Sequence, residues 1–157
     1  MSWAACCSGI ALANAGLGAV HGIVAALGAR YPVPHGVGCG ILLAATTRVN
    51  ISALAAGTPG APSPAGGEPG SLALARYAEA GRILAGDAAL PDDAARDALV
   101  ATLEAWTAAL RLPRLAAFGA VAGDIPDLVG ESRGSSMRTN PVVLADAEIA
   151  AILAACL

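Results

Sequence analysis

No aspartate or glutamate occurs in the first 67 residues of this chain, where Arg30 and Arg48 are the only formal charges. Residues 68–157 carry seven arginines and all twelve acids, so a local net charge of +2 gives way to one of −5. A segment with almost no charge belongs in a core, a subunit interface or a bilayer. Alanine and glycine dominate it, and runs rich in Val, Ile, Thr and Tyr are missing from the whole sequence. Such a chain favours close-packed helices over sheet. Its 157 residues suffice for one ordinary domain with a sizeable core. The expectation is an all-α helical bundle, read as a single domain over residues 1–157. The nine basic residues are all arginine and form no cluster interleaved with aromatics, which argues against a nucleic-acid partner.

Glycine and proline divide the chain into segments. Residues 3–14 read as a helix broken by Gly16 and Gly18, and residues 18–28 as a second helix capped by Gly28. Tyr31-Pro32-Val33-Pro34 is a stiff extended connection, because each proline disfavours helix in the residue before it. A third helix starts near His35 and runs to about Val49. A Pro/Gly-rich loop covers residues 57–70. Further helices are expected over 71–86, 92–112, 124–132 and 146–156, and no strand is convincing. The strongest pattern places Leu99, Leu103, Trp106 and Leu110 on one face, opposite Asp97, Glu104 and Arg111. On the last helix Ile149, Ile152, Leu153 and Cys156 form the apolar stripe.

Residues 3–29 are uncharged and long enough to cross a bilayer, and Gly18/Gly22 and Gly36/Gly40 have the G-x-x-x-G spacing of packed membrane helices. Against that reading, the run is mostly Ala and Gly, carries Asn14 and His21 near its middle, and is interrupted at Gly16-Leu17-Gly18. No basic n-region precedes it, so neither a secretory signal nor a membrane partner is expected. The location expected is cytoplasmic. Cys6, Cys7, Cys39 and Cys156 form no C-x-x-C pair and read as buried thiols.

His21 and His35 are the only two histidines. Imidazole is the commonest protein metal ligand and the usual proton shuttle near neutral pH. From His21 to Ala29 a helix advances roughly 12 Å. Arg30 to Pro34, if extended, covers roughly 16 Å. The connection is therefore long enough to double back and set His35 beside His21, without demanding it. His35 at a helix start faces the positive end of the helix dipole, which keeps a ring lone pair free for a cation. Cys39, one turn later, either reaches the same face or packs as a small apolar residue. Each histidine is either a hydrogen-bonded core residue or a ligand, and two ligands do not complete a metal site.

Asn14-Ala-Gly-Leu-Gly-Ala-Val-His21-Gly22, Leu27-Gly28-Ala29, Pro34-His35-Gly36 and Ile41-Leu-Leu43 through Asn50 together resemble the C-terminal signature of iron-containing (group III) alcohol dehydrogenases. That family includes maleylacetate reductases and shares its fold with dehydroquinate synthase-like enzymes. Ala75-Arg76-Tyr77-Ala78, Ser136-Met137-Arg138-Thr139-Asn140-Pro141 and the closing helix resemble the same family. The resemblance implies the helical metal domain alone, without the dinucleotide-binding α/β domain. It implies a divalent metal, Fe2+ or Zn2+, held by an aspartate and three histidines, two of which match His21 and His35. The other two ligands belong to an Asp-x-x-x-His helix, expected upstream of Met1. Two positions depart from the pattern. Ala25 stands where many members have a further active-site histidine, and Ala44-Ala45 replaces a frequent Pro-His.

The function so implied is the C-terminal portion of a metal-dependent, NAD(P)-linked alcohol dehydrogenase. Its substrate would be an alcohol, an aldehyde or a maleylacetate-like small molecule, and the isolated chain is expected to lack hydride transfer. Alternatives are a non-catalytic helical interaction module or gene remnant, self-associating or bound to a missing N-terminal portion, and a small membrane protein.

Overall fold

The computed structural model describes residues 2–57 and 70–157; the proline-rich part of the expected loop, residues 58–69, lies outside the described residues. Seven α-helices follow one another: α1 (Ser2–Ala15), α2 (Ala19–Arg30), α3 (His35–Ala55), α4 (Ser71–Ala85), α5 (Asp92–Ala109), α6 (Ile125–Glu131) and α7 (Asp146–Cys156). Short 3₁₀ turns at Leu115–Phe118, Ala122–Asp124 and Ser135–Thr139 link the later helices. No strand occurs among the described residues. The expectation of an all-helical fold holds.

The core forms where α2, α3, α6 and α7 meet. Ile23 and Leu27 are one turn apart on α2 and fully buried, as are Ile149 and Ile152 on α7. Leu42 of α3, Leu115 of the first 3₁₀ turn and Leu128 of α6 complete the same cluster. Each such side chain contributes about 1.5–3 kcal/mol by leaving water. The helical hairpin of α4 and α5 packs on α3 through a second, smaller cluster of Ala44, Leu99 and Leu103. Its two helices cross closely at Gly81, where an added Cβ would lie 1.8 Å from the Ala95 carbonyl oxygen.

The two cations of the acid-free segment are paired with acids from the other half of the chain. Arg30, at the end of α2, holds Glu131 at 2.6 Å and Asp127 at 3.2 Å, both on α6. Arg48 on α3 pairs with Glu104 on α5. Tyr31 donates a 2.5 Å hydrogen bond to Asp124, so α2 is tied at its C-terminus to the start of α6. That tie explains why α2 continues to Arg30 instead of stopping at Gly28, which lies inside the helix.

Other boundaries also differ. Helix α3 runs six residues past Val49, to Ala55, because Asn50, Ala53 and Leu54 remain buried against its neighbours. On α5, Leu99 and Leu103 are buried as expected, but Trp106 and Leu110 are exposed. The 18-residue α5 outruns the 15-residue α4, leaving its last turn beyond the hairpin contact. Burial of the uncharged segment fails at α1, which has no buried residue and projects Trp3 with 78% of its surface in solvent. Consequently Cys6 and Cys7 are exposed, not buried; of the four cysteines only Cys156 is fully buried. The uncharged run 3–29 is not one span, since α1 and α2 meet at 96°. Among the described residues, α3 is the one single helix long and apolar enough to cross a membrane, and half of that stretch is buried inside the fold.

Candidate metal centre

The first turn of α2 carries His21, and its placement is fixed from far along the chain. Gly16, at φ +73°, sits in the left-handed region that favours glycine and turns the chain between α1 and α2. Gly18 is the N-cap of α2 and has no side chain with which to satisfy the exposed amides. Asn140 does so instead: its Oδ1 accepts from Ala19 N at 3.0 Å, across 121 residues. The neighbouring Thr139 hydroxyl donates to the Leu17 carbonyl, gripping the same turn. Gly22, next to His21, lets the helix lie against the Ser132 carbonyl, which an added Cβ would approach to 2.8 Å.

Asn140 extends this clamp to α3. Its amide donates to Asn50 Oδ1 at 2.9 Å and to Val142 O at 2.8 Å, while Asn50 donates back to Asn140 Oδ1 at 3.2 Å. Asn50 Nδ2 also donates to the Tyr77 hydroxyl of α4 at 3.1 Å. Burial pushes the Tyr77 phenol up, outweighing the downward effect of Asn50, so Tyr77 stays protonated at neutral pH. Four stretches remote in sequence thus meet in one polar knot beneath the start of α2. Asn50, Tyr77 and Asn140 lie in stretches that resemble the family, but contacts 27 and 90 residues apart leave no local spacing from which their role can be read.

His35 is the first residue of α3, after an extended Tyr31–Pro34 connection that does double back. The two imidazole centroids lie 5.3 Å apart with their planes at 51°. Cys39, one turn along α3, stands between them, its Sγ 3.6 Å from His35 Nε2 and 4.0 Å from His21 Nε2. All three donor atoms fall within 4.8 Å of one another. His21 is partly buried and His35 exposed. Desolvation, and then the neighbouring His35, hold the His21 pKa below its usual value and favour the neutral ring that a cation needs. Burial pushes the Cys39 thiol up. Ala25, one turn after His21, is exposed and brings no donor group. The signal for Cys39 was its i+4 spacing from His35, which puts both on one helix face.

A cavity of about 570 Å³ opens beside this cluster, bounded by His21, Cys39, Leu43, Thr46, Asn50 and Tyr77. Most of its surface is apolar. Thr46 is 3% exposed, and its hydroxyl finds no hydrogen-bond partner among the described residues.

Residues 1–157 match the profile described as Fe-containing alcohol dehydrogenase family, C-terminal. The chain belongs to that family. As a C-terminal domain of the Fe-containing alcohol dehydrogenase type, it also has a fold neighbour of solved structure. This neighbour, from a crystal structure analysis of 1,3-propanediol oxidoreductase, superimposes with a TM-score of 0.77 at 24% identity. The match covers 95% of this chain and 35% of that one, and at such identity it shows the fold alone. No curated protein sequence matches the chain. Within this alcohol dehydrogenase domain, the donor chemistry of the cluster fits a divalent cation. Two imidazoles and one thiol bring a donor atom each to within 4.8 Å of one another. In a tetrahedral shell, ligand atoms about 2.0–2.3 Å from zinc lie about 3.3–3.8 Å from each other. The observed separations need only small side-chain movements to reach that.

Proposed function

We propose that this chain is the helical metal-binding domain of a cytoplasmic, NAD(P)-dependent alcohol dehydrogenase-type oxidoreductase, with His21 and His35 as ligands of Fe2+ or Zn2+. The observation that carries the reading is the convergence of the two imidazoles at the edge of a cavity. When bound, the cation supplies Lewis acidity to the oxygen of a small alcohol or carbonyl substrate. The chain's own residues shape the place where that happens. Leu43 and the flanking alanines and glycines exclude water from the carbon skeleton, while the Thr46 hydroxyl, without a hydrogen-bond partner among the described residues, is the polar group left over at this wall. Tyr77 keeps its proton and acts as a neutral hydrogen-bonding wall. The Asn140–Asn50 knot holds the backbone of His21 in place. Hydride transfer would require a dinucleotide-binding partner domain, so the 157-residue chain alone should not oxidise alcohols with NAD(P).

Calorimetric titration of the full chain carrying Cys6→Ser and Cys7→Ser with Zn2+ tests this. One site is expected, with His21→Ala and His35→Ala each weakening it at least tenfold. Unchanged binding in both variants would reject the ligand assignment, and NAD(P)-dependent alcohol oxidation by the chain alone would reject the need for a partner domain.

A second reading is favoured by α1, whose Trp3, Ile10 and Leu12 are all exposed. It makes the chain a helical interaction module that associates through α1, as a homo-oligomer or with a larger partner. Light scattering on the purified chain separates the two, since a monomer at tens of micromolar excludes self-association through α1.

A further inference from the structure

We propose that Cys39 is a third protein ligand of this site, giving a His21–His35–Cys39 donor set that selects thiophilic cations, Zn2+ above Fe2+. The inference rests on the reading of His21 and His35 as ligands and adds to it the chemistry of a thiolate.

Three observations carry it. First, Cys39 lies one helical turn from His35, so the pair shares a face of α3, and α2 brings His21 Nε2 onto the same sulfur. Second, a thiol has one proton to donate. It satisfies one ring nitrogen at a time, whereas a shared cation engages all three donor atoms at once. Third, Cys39 differs from the cysteine that packs. Cys156 is buried and its thiol donates to the Ile41 carbonyl at 3.4 Å, so its polar atom is already used inside the fold. Cys39 is only partly buried, borders the cavity, and has its sulfur directed to two imidazoles.

Three protein donors are as many as a catalytic zinc site usually takes. Replacing an oxygen donor by thiolate moves a site's preference toward zinc and other borderline or soft metals. The structure therefore assigns to this chain a softer site than an aspartate and three histidines would make.

The test uses Co2+ as the probe, on the full chain with Cys6→Ser and Cys7→Ser, since those exposed thiols could bind cobalt themselves. Titration should produce the visible bands of bound cobalt together with a near-ultraviolet sulfur-to-cobalt charge-transfer band. Adding Cys39→Ser should abolish the charge-transfer band, retain weaker visible bands, and reduce the Zn2+-over-Fe2+ affinity ratio at least tenfold. Visible bands without charge transfer would overturn the role of Cys39 while leaving the histidine reading intact. An absence of any cobalt binding would overturn both. A second measurement needs no Cys39 variant. With Cys39 intact, in the chain carrying Cys6→Ser and Cys7→Ser, Zn2+ should slow iodoacetamide labelling of Cys39 at least tenfold, by peptide mass spectrometry, against the rate in the same chain without metal. Labelling of Cys39 at an unchanged rate with the site saturated would equally overturn the proposal.

Discussion

Asn140→Ala removes the side chain on which the geometry of the site depends. In the intact chain that amide accepts from Ala19 N and Asn50 Nδ2, and donates to Asn50 Oδ1 and Val142 O. Losing a helix N-cap contact costs ~1 kcal/mol. Of the partners left behind, Asn50 is 4% exposed and, among the described residues, retains only its bond to Tyr77. A stranded buried acceptor costs about 1–3 kcal/mol. Asn50 and Asn140 both border the cavity, so water can reach part of the gap and the lower end of that range applies. The expected loss is about 2 kcal/mol, or about 4–8 °C in Tm for a chain of this size. Urea unfolding followed by circular dichroism measures it. A double-mutant cycle with Asn50→Ala should return a coupling of about 1–2 kcal/mol, because each variant already breaks the shared pair. Asn140→Ala within 0.5 kcal/mol of the unsubstituted chain, or strict additivity in the cycle, would refute the clamp. Since the clamp sits two residues before His21, Asn140→Ala should also weaken Zn2+ binding about tenfold, the size of a supporting-residue effect.

Two further outcomes follow from packing and charge. Gly81→Ala should destabilise the chain by at least 2 kcal/mol, despite the better helix propensity of alanine, because its Cβ would fall 1.8 Å from Ala95 O and force α4 from α5. A Tm equal to or above that of the unsubstituted chain would show that the crossing is looser. Asp124 is held below the usual carboxylate range by the Tyr31 hydroxyl, and then by the Val121 amide. Glu131 is lowered chiefly by Arg30, and Asp92 chiefly by Arg82. With folded pKa values depressed, their stabilisation is complete well above the unfolded values near ~4 and is lost as pH falls through the folded ones. The urea midpoint should therefore slip slightly between pH 7 and 5.5, where the unfolded chain protonates His21 more readily than the folded one, and fall more steeply below pH 4.5. Asp124→Asn should flatten part of that fall, and an unchanged slope would separate the Asp124 contacts from acid stability.

Most of the fold was legible because its helices are punctuated by residues with strong local preferences. Pro34 and Pro91 stand immediately before helices, Gly16 and Gly86 adopt left-handed conformations at breaks, and α7 buries the four residues of its stripe. The pairing of His21 with His35 was legible as a possibility from chain length alone. What length could not supply was a reason for the rings to stay together. That reason lies in Asn140 and Thr139, whose short polar side chains favour no particular partner until the fold delivers one. Cys39 was ambiguous for a related cause: a cysteine at i+4 from a histidine is equally at home in a core, and only the position of α2 decides. The uncharged start of the chain misled in a different way. Absence of charge was read as burial, yet α1 consists chiefly of alanine, serine, cysteine and glycine. Alanine and glycine have little apolar surface to hide, so exposing them forfeits little. An uncharged segment must be buried only where its side chains are large. By that criterion α2 and α3 required a core, since Ile23, Leu27 and Leu42 leave no surface in solvent. In α1 the argument holds only at Trp3, Ile10 and Leu12, and these are the positions where a partner surface would act.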